Sequence, residues 1–246
     1  MDTLYNIILC EEMILLKIAV ISDVHGNLEA LQSALSDIDD KKIDTIVCLG
    51  DLVGYGPFPN QVVELIRSRA IINILGNYDA AVLEEKFNYI RDNEVNKFCM
   101  PWAVRELKDN NRKYLETVPR NIVFEFQNKK IRFVHGSTRK INEYLPENSK
   151  NAEEVMESLD EDILFCGHTH IPYIKKYGEK VLCNDGSVGK PKIGRPNGTY
   201  IIVDVLKDKV SSQIIEFQYD YKKTVQAMKE KHIHTSCIKN ILSGIE

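Results

Sequence analysis

The chain has 246 residues, with 32 Lys and Arg against 36 Asp and Glu, a net charge of −4 with histidine neutral. That weak acidity argues against a protein whose main task is to grip nucleic-acid backbone, although it leaves room for a local basic cleft. Apolar residues make up 43% of the chain, enough for a sizeable core, and no run approaches the ~20 apolar residues of a membrane span.

Residues 1–13 (MDTLYNIILCEEM) lack the basic start and small-residue cleavage site of a secretion signal, and Met13 offers an alternative start. The β-branched run 16–22 (LKIAVIS) predicts a buried strand. In 27–39 (NLEALQSALSDID), Asn27 is the expected helix N-cap, and Leu28, Leu31 and Leu35 share one helical face. A strand at 44–50 (DTIVCLG), a helix at 60–69 capped by Asn60, and a strand at 70–76 (AIINILG) follow. This β-α-β-α-β order favours a mainly parallel sheet.

Residues 80–118 are charged and helical in pattern, and read as a small helical insertion or cap over one sheet edge, anchored by Trp102. The second half is strand-rich. NIVFEFQNKKIRFVHGS (121–137) predicts a hairpin turning at QNKK. DILFCGHTH, YIKKY, KVLCND, TYIIVDV and KVSSQIIEF then follow at the close spacing a second sheet needs. YDYKKTVQAMKEKHI predicts a C-terminal helix. The expected organisation is one domain over 1–246, with two stacked sheets and helices outside. The six cysteines form no C-x-x-C pair, and several sit in apolar strands, as in a reduced, cytoplasmic protein without a disulfide framework.

Polar clusters recur at the ends of the predicted strands. SDVHGN gives Asp23 and His25; Gly50 precedes Asp51; Gly76 precedes Asn77; VHGS gives His135; CGHTH gives His168 and His170. In an extended chain, residues i and i+2 point to the same side, so each spaced pair can converge. The carboxyl ends of such strands are where sites form. Singly, each residue also fits a structural role: Asp51 as a loop cap, Asn77 as a helix cap, His135 as a core histidine. Seven residues of metal-ligand type in equivalent positions point to a metal site. His232 and His234 have the same H-x-H spacing but sit in a lysine-rich helical stretch without a preceding strand or glycine, and read as surface residues.

The order D-x-H, G-D, G-N, H, G-H-x-H resembles the signature of the calcineurin-like metallophosphoesterases, from about residue 16 to the C-terminal helix. NDGSVGKPK (184–192) resembles a loop of the compact bacterial and archaeal phosphodiesterase branch, and EFQYDYKKTVQAM resembles that branch's C-terminal helix. The resemblance implies an α/β fold, a four-layer α/β/β/α sandwich of two mixed sheets, holding two divalent metal ions. One ion would take Asp23, His25, Asp51 and His170; the other Asp51, Asn77, His135 and His168, with Asp51 bridging. Nitrogen and oxygen ligands without thiolate suit manganese, iron, zinc, cobalt or nickel. A hydroxide bridging the ions would attack phosphorus.

Many members of that family have G-N-H-D where this chain has GNYD, so Tyr78 replaces a histidine thought to serve the leaving group. With a reference pKa near ~10, tyrosine is a weaker acid. Tyr78 could act as a catalytic proton donor, stack on a base or fill space, and Asp79 is left without a histidine to orient. Loss of the histidine matters least for good leaving groups. The expected activity is therefore hydrolysis of a phosphodiester or dinucleoside polyphosphate. The alternatives are a phosphomonoesterase or protein phosphatase, and a non-catalytic scaffold like the phosphodiesterase-like subunit of retromer; the intact ligand set speaks against the scaffold. Tyr55 and Arg195 are further candidates for substrate binding alongside Asn77, while Asn27 reads as a cap. The expected partner is a small phosphate ester, not a membrane or nucleic acid, and the sequence is compatible with a homo-oligomer.

Overall fold

The computed structural model describes residues 14–43, 45–126, 128–206 and 209–245; the alternative start at Met13 and Cys10 lie outside them. The strands are β1 (Ile14–Ile21), β2 (Thr45–Cys48), β3 (Ile72–Asn73), β4 (Asn121–Phe126), β5 (Lys129–Val134), β6 (Ile163–Cys166), β7 (Tyr173–Tyr177), β8 (Lys180–Asn184), β9 (Gly198–Leu206) and β10 (Val210–Phe217). They form two five-stranded mixed sheets, ordered β10-β9-β1-β2-β3 and β4-β5-β6-β8-β7. Strands β1, β2 and the edge strand β3 are parallel, as are β5, β6 and β8. Antiparallel strands complete the other edges.

Strand periodicity sorts the core into layers. In β1, Ile18 and Val20 pack between the sheets with Val47, Leu49, Phe133 and Phe165, while Ala19 and Ile21 face the helices. Helices α1 (Leu28–Asp40) and α2 (Pro59–Ser68) supply Leu31, Leu35, Val62 and Ile66 to that outer layer. It is extended by α3 (Asn77–Glu84), α4 (Glu94–Glu106), α5 (Asp109–Glu116), α7 (Tyr221–Glu230) and α8 (Thr235–Ser243). On the far face, α6 (Lys150–Ser158) packs Ala152, Val155 and Met156 against Leu164, Cys166 and Leu182 of the second sheet. The result is the four-layer α/β/β/α sandwich.

Between the sheets, the buried rings of Phe133 and Phe165 stack with centroids 5.3 Å apart. Phe133→Ala is expected to lower unfolding stability by about 3–5 kcal/mol, checked by urea denaturation.

Several elements differ from the sequence reading. β9 and β10 join the first sheet rather than the second: β9 fills the open edge of β1, and its buried run Gly198–Val203 suits an interior strand. The third strand shrinks to two residues, because Ala70 turns at φ 49° and the amide of Leu75 bonds to the carbonyl of Pro119, outside the ladder. Asn60 does not cap α2, whose N-cap is Phe58; its amide instead ties α2 to the Glu106 carbonyl and Lys108 amide at the end of α4. The chain also forms α8, which the sequence reading missed. It is capped by His234 and ended by Gly244 at φ 64°. His232 lies in the turn before α8, not within a helix, and is exposed.

Trp102 is buried in the outer core. Cys48, Cys99, Cys166, Cys183 and Cys237 are buried free thiols, and Cys99 Sγ touches Cys237 Sγ at 3.5 Å without a bond. Among the described residues no helix is long and apolar enough to cross a membrane.

Candidate metal centre

Four loops, those after β1, β2, β5 and β6, and the first residue of α3 bring the seven predicted ligands together. All seven are buried. Asp23, His25 and His170 form one cluster, and Asp51, His135 and His168 form another. Asp51 lies between them, its Oδ2 3.6 Å from His25 Nε2 and 3.5 Å from His135 Nε2. Asn77 Oδ1 joins the second cluster, 2.7 Å from His135 Nε2. His168 and His170 therefore serve different clusters.

The backbone route differs from the extended chain assumed from sequence. Asp23, His25, Asp51, His168 and His170 all have φ between 47° and 64°, the left-handed region. Such a residue costs on the order of 1–3 kcal/mol and persists where the surroundings impose it, as at functional sites. The loops are packed tightly enough that a Cβ on Gly76 would lie 2.0 Å from Asp51 N, so only glycine fits before Asn77.

The donor set fits metal ions. His25 Nδ1 faces the Val53 carbonyl at 3.1 Å, His135 Nδ1 the Leu49 carbonyl at 2.8 Å, and His170 Nδ1 the Lys190 carbonyl. A carbonyl only accepts, so each Nδ1 carries the proton and each Nε2 is directed into the cluster. His25 Nε2 and His170 Nε2 lie 3.3 Å apart, and His170 Nε2 is 3.0 Å from Asp23 Oδ1. Lone pairs facing at these distances repel unless a cation or proton lies between them. Asp23 Oδ1 and His168 Nε2 are buried without a hydrogen-bond partner among the described residues.

Electrostatics follow the same geometry. Burial opposes ionisation of Asp23 and Asp51, but the facing histidines, His170 and His135 respectively, hold both below the usual carboxylate range. Burial also opposes charge on His135, yet Asp51 and Asp23 raise it to about 10. Burial, with the charge of His135 next, pushes His168 down to about 3, and burial pushes His170 down to about 4.

Supporting groups hold the ligands in place. Asp79, whose role the sequence left open, accepts from the amides of Leu52, Val53 and Gly76 and so braces the loop that carries Asp51. Asp23 Oδ2 accepts from Ser22 Oγ at 2.6 Å and from the His168 amide at 2.9 Å. Neither Asp79 nor Ser22 belongs to the ligand pattern, although both adjoin it in sequence.

A cavity of about 170 Å³ opens on the clusters, lined in part by Tyr55, Asn77, Tyr89, Arg91, Tyr144, Lys190 and Lys192. Tyr55 thus lies where the sequence placed it, its hydroxyl donating to Asn96 Oδ1. Asn27 caps α1 as predicted. Arg195 does not reach the site: it is exposed and pairs with Glu216 through two nitrogens. Two facing neighbours on β9's approach and β10 satisfy each other, which corrects its assignment to substrate.

Tyr78 also lines the cavity. Its ring lies under Gly54, where any Cβ would meet Tyr78 Cε1 at 2.3 Å, and its hydroxyl is buried without a partner among the described residues. Burial pushes its pKa well above the ordinary value. Of the three roles left open by sequence, this placement of the hydroxyl speaks against proton donation and is compatible with ring stacking and with filling space. Tyr78→Phe is expected to leave turnover within about twofold and stability unchanged or slightly raised, because it removes an unsatisfied hydroxyl; steady-state kinetics and thermal melts check both.

Sequence reasoning missed Arg91, Tyr144, Lys190 and Lys192. Lys190 and Lys192 both lie in the NDGSVGKPK loop, so a signal existed for them, whereas Arg91 was one charge among many in the inserted segment.

Comparison with known proteins agrees with this geometry. A family model described as the calcineurin-like phosphoesterase superfamily domain matches residues 16–208. Protein MJ0912 of Methanocaldococcus jannaschii is 36% identical over 235 residues, covering 88% of this chain and 93% of that one. Phosphodiesterase YfcE of Escherichia coli K12 is 26% identical over 193 residues, 74% of this chain and 84% of YfcE. A solved metallophosphoesterase from Sphaerobacter thermophilus superposes with a TM-score of 0.79 at 29% identity, covering 94% of this chain and 99% of that one.

Proposed function

The chain belongs to the calcineurin-like phosphoesterase superfamily, and we propose that it is a dimetal phosphoesterase that prefers phosphodiesters or phosphoanhydrides to monoesters. The observation that carries the reading is the pair of buried clusters sharing Asp51. Asp23, His25, Asp51 and His170 would hold one ion, and Asp51, Asn77, His135 and His168 the other. When bound, the ions supply Lewis-acid polarisation of the phosphoryl oxygen and activation of water.

The chain's own groups do the rest. The carbonyls of Val53, Leu49 and Lys190 fix the tautomers of His25, His135 and His170. The Tyr78 amide holds Asp51 Oδ1 at 2.7 Å, which leaves Oδ2 for the centre. Arg91, Lys190 and Lys192 place positive charge around the entering phosphate. The preference for diesters rests on Tyr78. With its hydroxyl buried, it offers no proton to a departing oxygen. Good leaving groups, such as a nucleoside phosphate or an aryl oxide, need that proton least. The likeness to YfcE, whose name records phosphodiesterase activity, supports the same direction.

The test compares bis-p-nitrophenyl phosphate with p-nitrophenyl phosphate on metal-stripped, manganese-reloaded protein. The expected kcat/KM favours the diester by about tenfold or more, a difference of about 1.4 kcal/mol. A preference for the monoester overturns the diester reading.

A further inference from the structure

Backbone carbonyls hold three of the four ligand histidines. Those of Val53, Leu49 and Lys190 take the Nδ1 protons of His25, His135 and His170. His168 differs. Among the described residues its ring makes no hydrogen bond, and Nε2 is buried. Its amide donates to Asp23 Oδ2 at 2.9 Å, which fixes the backbone but not the plane of the ring.

Aromatic contacts hold that ring instead. Tyr144 stacks on it with centroids 4.0 Å apart and planes 27° apart, and His135 lies at 5.2 Å, tilted by 57°. The Arg91 guanidinium lies over the Tyr144 ring, 5.2 Å from its centroid. Offset rings attract, and a cation over a ring meets the negative face of its quadrupole. Arg91 belongs to the inserted segment, Tyr144 to the loop after β5, and His168 to the loop after β6. Three stretches far apart in sequence thus meet in one stack at the second cluster.

The inserted segment also reaches another ligand of that cluster. The Tyr89 carbonyl accepts from Asn77 Nδ2 at 2.9 Å, which leaves Oδ1 of the same amide 2.7 Å from His135 Nε2. Asn77 and His168 are therefore both oriented from residues 89–91, one directly and one through Tyr144. The first cluster is held otherwise. Ser22 and the His168 amide fix Asp23, and the two carbonyls named above fix His25 and His170. Tyr55, tied to Asn96 of α4, does meet His25 edge-on at 4.9 Å, but the Val53 carbonyl already sets that ring.

We propose that Tyr144 is a positioning residue for the second metal ion and that Arg91 holds it in place, so that the inserted segment sets the affinity of one ion and not of the other. This rests on the dimetal reading above. Groups that orient a metal ligand account for about 10- to 100-fold in metal affinity. The ring of Tyr144 makes the contact, so phenylalanine serves in its place. For Arg91, the sign of the effect separates positioning from charge. Removing a cation beside a metal site strengthens metal binding by Coulomb's law, whereas releasing Tyr144 weakens it.

The experiment titrates manganese into metal-stripped wild type, Y144A, Y144F and R91M. Electron paramagnetic resonance reads free and bound ion, and plasma mass spectrometry counts the ions retained. Wild type is expected to take two. Y144A keeps one at wild-type affinity and binds the other about 10- to 100-fold more weakly, so the signal of a coupled manganese pair gives way to that of a single ion. Y144F stays within about threefold of wild type. R91M weakens the same ion by about two- to fivefold. Arg91 is exposed, so R91M decides the matter even if Y144A folds poorly. Unchanged binding of both ions in Y144A, equal weakening of both, or a loss in Y144F as large as in Y144A overturns the proposal. Unchanged or stronger binding in R91M overturns it as well. Fewer than two ions in wild type overturns the dimetal reading itself, and this inference with it.

Discussion

Asp51→Asn is expected to fold normally and to lose phosphoester turnover by about 10³-fold or more. Asn keeps the oxygen that accepts from the Tyr78 amide at 2.7 Å, so the local backbone has no reason to move. What changes is Oδ2, which lies 3.6 Å from His25 Nε2 and 3.5 Å from His135 Nε2. An amide NH₂ there has no lone pair for either ion and removes a negative charge shared by both clusters. Lewis-acid stabilisation by such ions is worth several kcal/mol, and each ~1.4 kcal/mol is a factor of ten. Thermal melts close to wild type, together with the loss in kcat, distinguish this from misfolding. Turnover within tenfold of wild type would remove Asp51 from the chemistry.

Metal removal is expected to lower stability substantially. Without cations, the Nε2 atoms of His25 and His170 face each other and Asp23 at 3.0–3.6 Å inside the protein. Ions present at about 1,000 times their dissociation constant add about 4 kcal/mol to the folded state. For a chain of this size that corresponds to roughly 8–16 °C in Tm. A chelator titration followed by scanning calorimetry measures the change.

The pH dependence carries a sign. In the metal-free protein, His135 is raised to about 10 by Asp51 and Asp23 against the opposing effect of burial. Its imidazolium donates through Nδ1 to Leu49 and through Nε2 to Asn77 Oδ1. The stability it adds is present in full below the unfolded value near ~6.5 and is lost as pH rises through about 10. A metal ion needs that Nε2 lone pair, so binding at pH 7 expels about one proton, and affinity grows as pH rises towards 10. His168 and His170, pushed down to about 3 and 4, are neutral already and release none. Calorimetry in buffers of different ionisation enthalpy reads the proton directly. Uptake of a proton would contradict the assignment of His135.

How much of this was legible in sequence depends on the range of the forces involved. Asp23, His25, Asp51, Asn77, His135, His168 and His170 could be picked out because each residue type ends an apolar strand, most beside a glycine. The backbone that aims them could not. Convergence was argued from extended i, i+2 geometry, whereas the chain uses left-handed turns at five of the seven positions. Those turns are imposed by contacts between distant loops, such as Gly76 against Asp51. Strand patterns announced β9 and β10 but not their sheet, because alternation says which face is buried and not which neighbour is paired. Tyr78 and Arg195 show the same limit in side chains. Tyr78 is turned inward by the space over Gly54, and Arg195 is engaged by Glu216; neither partner is near in sequence. Lys190 stood inside a recognised loop, and its place on the cavity wall became visible only with the fold.

The central claim is that two ions share Asp51, and the most direct measurement is the metal content of manganese-reloaded protein by plasma mass spectrometry, for wild type and Asp51→Ala. The account predicts two ions per chain in wild type and at most one in the variant. One ion or none in wild type, or two retained without Asp51, would contradict it.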